Sequence, residues 1–151
     1  MTYFKGSSAD VPATNFPVPD LINRRRVLNF TTGVDQTCYF SGFLDTTYGG
    51  AGLTVSVFSS AAAGGDVVWQ VAFERLNAAI TSDNFAASQT ATVTLGAINT
   101  RVAANLIFTN VQIAGLLAGE EYRIYLMREG TNASDTLGVS ASLASVVVRE
   151  T

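Results

Sequence analysis

From Arg24 onward, apolar and polar side chains alternate in short runs bounded by Gly, Asn, Asp and Ser. A period of two marks a strand with one buried face. The alternation is clearest in Leu53-Thr-Val55-Ser-Val57, which places Leu53, Val55 and Val57 on one side. Asp66 to Arg75 sets Val67, Trp69, Val71 and Phe73 against Val68, Gln70, Ala72 and Glu74. Thr90 to Leu95 alternates in the same way, and Arg26–Thr31 is followed across Gly33–Gln36 by Thr37–Leu44. Leu106 to Ile113 gives a longer, less regular strand. Tyr122–Arg128 and Leu137–Val148 are expected to close as a pair, with Gly130, Thr131, Asn132 and Ser134 supplying turn chemistry. Leu116-Leu117-Ala118-Gly119 reads as a tight turn.

Only Leu76 to Ala87 has a helical trace. Leu76, Ala79 and Ile80 keep the spacing, but Asp83 and Asn84 occupy the next places on that face. The stretch therefore reads as loop, with at most one or two turns. Eight strands at a spacing near ten residues predict an all-β fold, an antiparallel jelly-roll-like β-sandwich. No amphipathic helix separates the strands, which excludes a βαβ arrangement. The alternation predicts Val55, Val57, Trp69, Val71, Phe73, Leu95, Phe108, Ile124, Leu126 and Val147 as core.

Residues 1–23 break the pattern and are expected to form an extended N-terminal arm before a sandwich domain spanning 24–151. They hold all three prolines, Pro12, Pro17 and Pro19, which favour extended backbone. Tyr3, Phe4, Phe16, Leu21 and Ile22 are apolar anchors that a solvated tail would seldom carry. Two placements are open: packed on its own domain, or laid across a neighbouring subunit or shell. Arg24-Arg25-Arg26, at the root of the arm, is the only dense basic cluster. These arginines read as solvated or intramolecular, as subunit contacts through forked pairing with carboxylates, or as a phosphate patch.

Composition narrows the function. The chain has 151 residues, enough for one domain, with 48% hydrophobic and only 14% charged residues. The polar share falls on 17 Thr and 12 Ser, which argues against a coiled coil. A net charge of −3 suggests no general affinity for nucleic acid or anionic membrane. Histidine is absent, which removes Ser-His-Asp catalysis and the commonest zinc sites. The single cysteine, Cys38, reads as a small buried hydrophobe. No catalytic, cofactor or metal residues are expected. The opening MTYFKGSSAD lacks the apolar stretch of a secretory signal, so synthesis in the cytoplasm is expected. Asn29-Phe-Thr31 and Asn132-Ala-Ser134 match the glycosylation sequon, which carries little weight in that setting.

Two constellations retain some chemistry. Glu74 could act as an acid–base group with Asp45, Asp66 or Glu120, as in glycoside hydrolysis. At a strand end beside Arg75 it reads better as an exposed or salt-bridged carboxylate. Trp69 with Tyr39, Tyr48, Tyr122 and Tyr125 could form a sugar-stacking platform, although a Trp in an alternating strand is usually core.

Two stretches carry a resemblance. Asp66–Asn77, DVVWQVAFERLN, runs a Val-Val-Trp strand through Phe-Glu-Arg into a loop. Tyr122–Glu150 holds an Arg-x-Gly-x-x-x-x-Asp-Thr-Leu turn between two long strands. From about Gly52 onward the chain resembles small jelly-roll structural proteins of tailed bacteriophages, including capsid decoration (cement) proteins. The resemblance implies a virion protein, a homo-oligomer and most simply a trimer, that binds the major capsid protein lattice or neighbouring virion proteins. It implies an extended terminus touching neighbours, and it transfers no catalytic residue. The alternative reading is a carbohydrate- or host-receptor-binding β-sandwich of a tail or fibre. A hydrolase built on Glu74 is the third.

Overall fold

A strand with one apolar face needs a second apolar surface to bury it, and this chain solves the problem with two antiparallel sheets packed face to face. In the computed structural model, which describes residues 1–77, 82–96 and 98–151, ten strands follow one another. They are β1 Thr2–Lys5, β2 Val18–Ile22, β3 Arg25–Phe30, β4 Asp35–Phe43, β5 Leu53–Ser60, β6 Gly65–Arg75, β7 Gln89–Leu95, β8 Val102–Phe108, β9 Glu121–Glu129 and β10 Ala141–Glu150. The first sheet has the order β2-β3-β10-β5-β8, with β1 pairing β10 alongside. The second has the order β4-β9-β6-β7. The fold is the expected all-β, jelly-roll-like sandwich, with an extended N-terminal segment.

The chain crosses between sheets at most of its connections, and this corrects one expectation. β3 and β4 lie in different sheets, and so do β9 and β10. Tyr122–Arg128 and Leu137–Val148 therefore do not close as a pair. Residues 130–140 instead carry the chain over the edge of the sandwich, and β10 starts only at Ala141. The strand expected at Leu106–Ile113 begins earlier, at Val102, and Val111–Ile113 is a short 3-10 turn. The ambiguous stretch at Leu76–Ala87 is irregular where described, and residues 78–81 lie outside the described residues.

Nine of the ten residues expected in the core are buried there. Trp69 meets Phe30 edge-on at 5.0 Å, and its indole N–H donates to Ser59 Oγ at 3.3 Å. Phe73 meets Phe108 at 5.0 Å in the same geometry. Cys38 faces the core from β4 and is fully buried, which pushes its thiol well above the ordinary range. Val147 is the exception and is only half-buried. The β10–β5 register slips between Leu143 and Ser145, so Ala144 is an extra residue. That bulge reverses the phase: Ala141 and Leu143 face the core before it, Val146 and Val148 after it.

At the end of the core, the Arg128 side chain is completely buried. Its guanidinium is bidentate to Asp135, at 2.9 Å from Nε and 2.7 Å from Nη2. The remaining N–H groups donate to the carbonyls of Phe30, Val139 and Leu137 at 2.9–3.0 Å. All five donors are satisfied. Thr136 Oγ1 accepts the Asp66 N–H, and the Leu137 N–H donates to the Asp66 carbonyl. A Cβ at Gly130 would run into the Val34 backbone. The Arg-x-Gly-x-x-x-x-Asp-Thr-Leu stretch is thus the lock on the inter-sheet crossing.

The N-terminal segment lies on its own domain. β1 pairs with β10, and Phe4 stacks on Phe40 at 5.3 Å and meets Tyr122 edge-on. The chain then follows the open edge of β4. Asp10 and Tyr39 exchange backbone hydrogen bonds at 2.8 and 2.9 Å, and the Thr37 N–H reaches the Asn15 carbonyl at 3.0 Å. β2 returns it to the first sheet as a hairpin with β3. The 23/24 junction is the centre of that hairpin turn, and Asn23 and Arg24 both have left-handed backbone (φ 46° and 64°).

Candidate functional site

The outward face of the second sheet is a grid whose rows follow from strand register. One row is Ser41, Arg123, Glu74; the next is Tyr39, Tyr125, Ala72; a third is Thr37, Met127, Gln70, Thr90. Phe85, from the β6–β7 connection, sits against the second row. Its ring lies 6.0 Å from Tyr39 and 5.6 Å from Tyr125, and the two tyrosines are 5.9 Å apart. All three rings are half-buried. Alternation alone makes this face outward, so three clustered aromatics here are not part of the core.

Arg123 is the hub of the cluster. Its guanidinium lies 5.2 Å from the Tyr39 ring centroid and 5.0 Å from that of Phe85, within cation–π range. It also pairs with Glu74 at 2.6 Å and with Asp83. Burial opposes its charge, but the two carboxylates outweigh burial and raise its pKa. Burial first, then the neighbouring Tyr39, Asp35 and Glu129, push the Tyr125 phenol up. Its hydroxyl stays neutral and meets Met127 Sδ at 2.9 Å. Gln70 Nε2 donates to Glu129 Oε1 at 2.6 Å, which ties the amide to the neighbouring strand.

The grid answers the expectations residue by residue. Of the proposed aromatic platform, Tyr39 and Tyr125 are neighbours on it, while Trp69 and Tyr122 are buried in the core and Tyr48 belongs to the 44–52 loop. Glu74 is buried, with one oxygen on Arg123 and the other on the Asn84 N–H at 2.6 Å. Asp45, Asp66 and Glu120 are engaged elsewhere, with the N-terminal amine and Thr47, Thr94, and Arg75 respectively. Glu74 is therefore a holder of Arg123. Among the described residues, no three carboxylates or thiols gather as a metal cage.

The expected contact residues divide. Tyr3, Phe16 and Leu21 are exposed at 55%, 41% and 63%, whereas Phe4 and Ile22 are half-buried against their own domain. Arg24, Arg25 and Arg26 are all exposed and pair with no carboxylate among the described residues. Sequence reading missed Phe85 and Arg123 as site residues. Phe85 lies in a stretch without periodicity, and Arg123 gains its neighbours only when β4 and β9 pair.

No family model matches the chain, and no curated protein matches it. Among solved structures it is similar to an exo-β-1,3-galactanase from Phanerochaete chrysosporium in complex with β-1,3-galactotriose, at 10% identity and TM-score 0.59. That match covers 98% of this chain but only 29% of the galactanase. It is similar over 99% of its length to a whole carbohydrate-binding module, CBM36, solved with calcium and xylotriose (12% identity, TM-score 0.55). It is similar over the same share to the xylan-binding domain CBM22-2 of a Paenibacillus barcinonensis protein, covering 99% of that domain (11% identity, TM-score 0.53). At these identities the likeness is one of fold: a jelly-roll β-sandwich.

Proposed function

We propose that the chain is a non-enzymatic carbohydrate-binding β-sandwich module, with the outward face of the second sheet as its ligand surface. The carrying observation is the cluster Tyr39, Phe85 and Tyr125 on that face, held by Arg123. Flat half-exposed rings stack on the apolar faces of sugar rings, and the Gln70 amide and the hydroxyls of Thr37 and Thr90 offer hydrogen bonds to sugar hydroxyls. The fold shared with carbohydrate-binding modules supports the reading. Calorimetric titration with xylo- and galacto-oligosaccharides tests it. Replacing Tyr39 and Tyr125 together by alanine is expected to weaken binding at least tenfold, about 1.4 kcal/mol, with the melting transition of a folded sandwich retained. Absence of binding across a glycan array, or unchanged affinity in the double variant, overturns the reading.

A second reading keeps the sandwich as a virion component, a homotrimer on a bacteriophage capsid. It is favoured by Tyr3, Phe16 and Leu21, which the domain leaves exposed, and by the sequence resemblance. Solution mass decides: a trimer lost on removing residues 1–22 supports it, and a monomer throughout overturns it.

A further inference from the structure

The cations of this chain fall into two groups. Arg75, Arg123 and Arg128 each face a carboxylate. Lys5, Arg24, Arg25, Arg26, Arg101 and Arg149 pair with none among the described residues. Arg25 and Arg101 are 76 positions apart in sequence, yet they line one cleft of about 310 Å³ at one end of the first sheet, with Asn23, Asn99, Ser60 and Ala144.

The topology explains the juxtaposition. β3, β10, β5 and β8 are successive neighbours, so the cleft spans three strand spacings, roughly 14 Å. Arg25 begins β3, Ala144 is the bulge residue of β10, Ser60 ends β5, and Arg101 directly precedes β8. The two middle strands contribute only small side chains, which keeps the floor low between two arginine walls. Asn23 and Asn99 shape the rims with left-handed backbone (φ 46° and 55°), a conformation Asn tolerates. The Asn99 N–H is tied to the Ala61 carbonyl at 2.8 Å.

We infer that this cleft binds the acidic groups of an anionic glycan, a carboxylate- or sulfate-bearing sugar chain; the inference rests on the glycan-binding reading above. Two guanidinium forks recognise oxyanions. The amides of Asn23 and Asn99 and the hydroxyl of Ser60 suit the hydroxyls around such a group. No aromatic ring lines the cleft, so it lacks the stacking platform of a single-stranded nucleic-acid site. The chain as a whole has a net charge of −3, so attraction for anions depends on a local cluster of this kind rather than on overall charge.

The test uses the full chain and calorimetry with polygalacturonate, its fully methyl-esterified form, dextran sulfate, a neutral xylo-oligosaccharide, inorganic sulfate and single-stranded DNA. Binding of polygalacturonate or dextran sulfate is expected to weaken about tenfold or more in Arg25→Ala/Arg101→Ala, and to fall with added salt. Neutral oligosaccharide binding is expected to stay unchanged in that variant and to weaken at least tenfold in Tyr39→Ala/Tyr125→Ala. The inference is overturned if the arginine variant binds both polyanions as the unaltered chain does, or if the esterified polymer binds as tightly as the acid. It is equally overturned if DNA displaces the polyanion at equal charge, or if inorganic sulfate alone occupies the cleft as tightly. Failure of neutral sugars to bind, with the arginine-dependent polyanion binding intact, would sink the aromatic face and leave the cleft standing.

Discussion

Arg128 takes a full positive charge into a place with no solvent, and the chain compensates every one of its N–H groups. Such a side chain has no good substitute of intermediate polarity. Arg128→Met leaves Asp135 buried with its charge unmatched, and a loss of about 3–5 kcal/mol is expected in denaturant unfolding. The double change Arg128→Met/Asp135→Leu removes both charges, so a smaller loss than the single change is the expected result. Equal losses would mean the carboxylate is not what makes the single change costly. Tyr122 poses a different problem on the same strand. Burial pushes its phenol up to about 12, against about 10 in the unfolded chain. Below pH 10 both states hold the proton, and ionisation contributes no pH dependence. Between 10 and 12 the unfolded state sheds its proton while the folded state keeps it, so stability falls as pH rises through that window, by about 2–3 kcal/mol in full. Unfolding curves of Tyr122→Phe across the same window should lose that slope.

At the scale of elements, the alternation in β5 and β6 could be read directly, because both strands keep one phase from end to end. β10 could not be read this way: nothing in Leu143-Ala-Ser145 announces an extra residue, and the bulge there moves Val147 out and Val146 in. Sheet membership was equally hidden. A hairpin and a crossing between sheets use the same turn residues, and what distinguishes the crossing at 130–140 is the burial of Arg128: Asp135, Leu137 and Val139 lie within 11 positions of it, but the Phe30 carbonyl, 98 positions away, reaches it only once the sheets have packed. The candidate face was half legible, since Tyr39 and Tyr125 were noticed as aromatics while their pairing depends on register. The N-terminal segment gives the sharpest element-level prediction. Phe4 packs half-buried on Phe40 and Tyr122, so deleting residues 1–5 should cost about 1 kcal/mol or somewhat more from that ring alone. A deletion variant that melts like the full chain would mean that β1 contributes nothing to its own domain.

For the whole molecule, the exposed area of 7,493 Å² is close to the roughly 7,350 Å² expected of a folded monomer of 15.9 kDa. An arm projecting into solvent would add to that figure, so the area agrees with a first segment that seals the β4 edge and closes the hairpin with β3. Sealing that edge removes a row of unpaired backbone groups from solution. On the same strand Cys38 faces the other way, into the closed core. A thiol that is inaccessible and reluctant to ionise reacts only when the sandwich opens. At an ordinary stability of ~5–15 kcal/mol the open fraction is below about one molecule in a thousand. Labelling by a thiol reagent should therefore be slow in native buffer and accelerate in step with denaturant. Having one sulfhydryl and no disulfide to confuse the readout, the chain carries its own clock, and the mass of the alkylated product counts how many molecules have opened at least once.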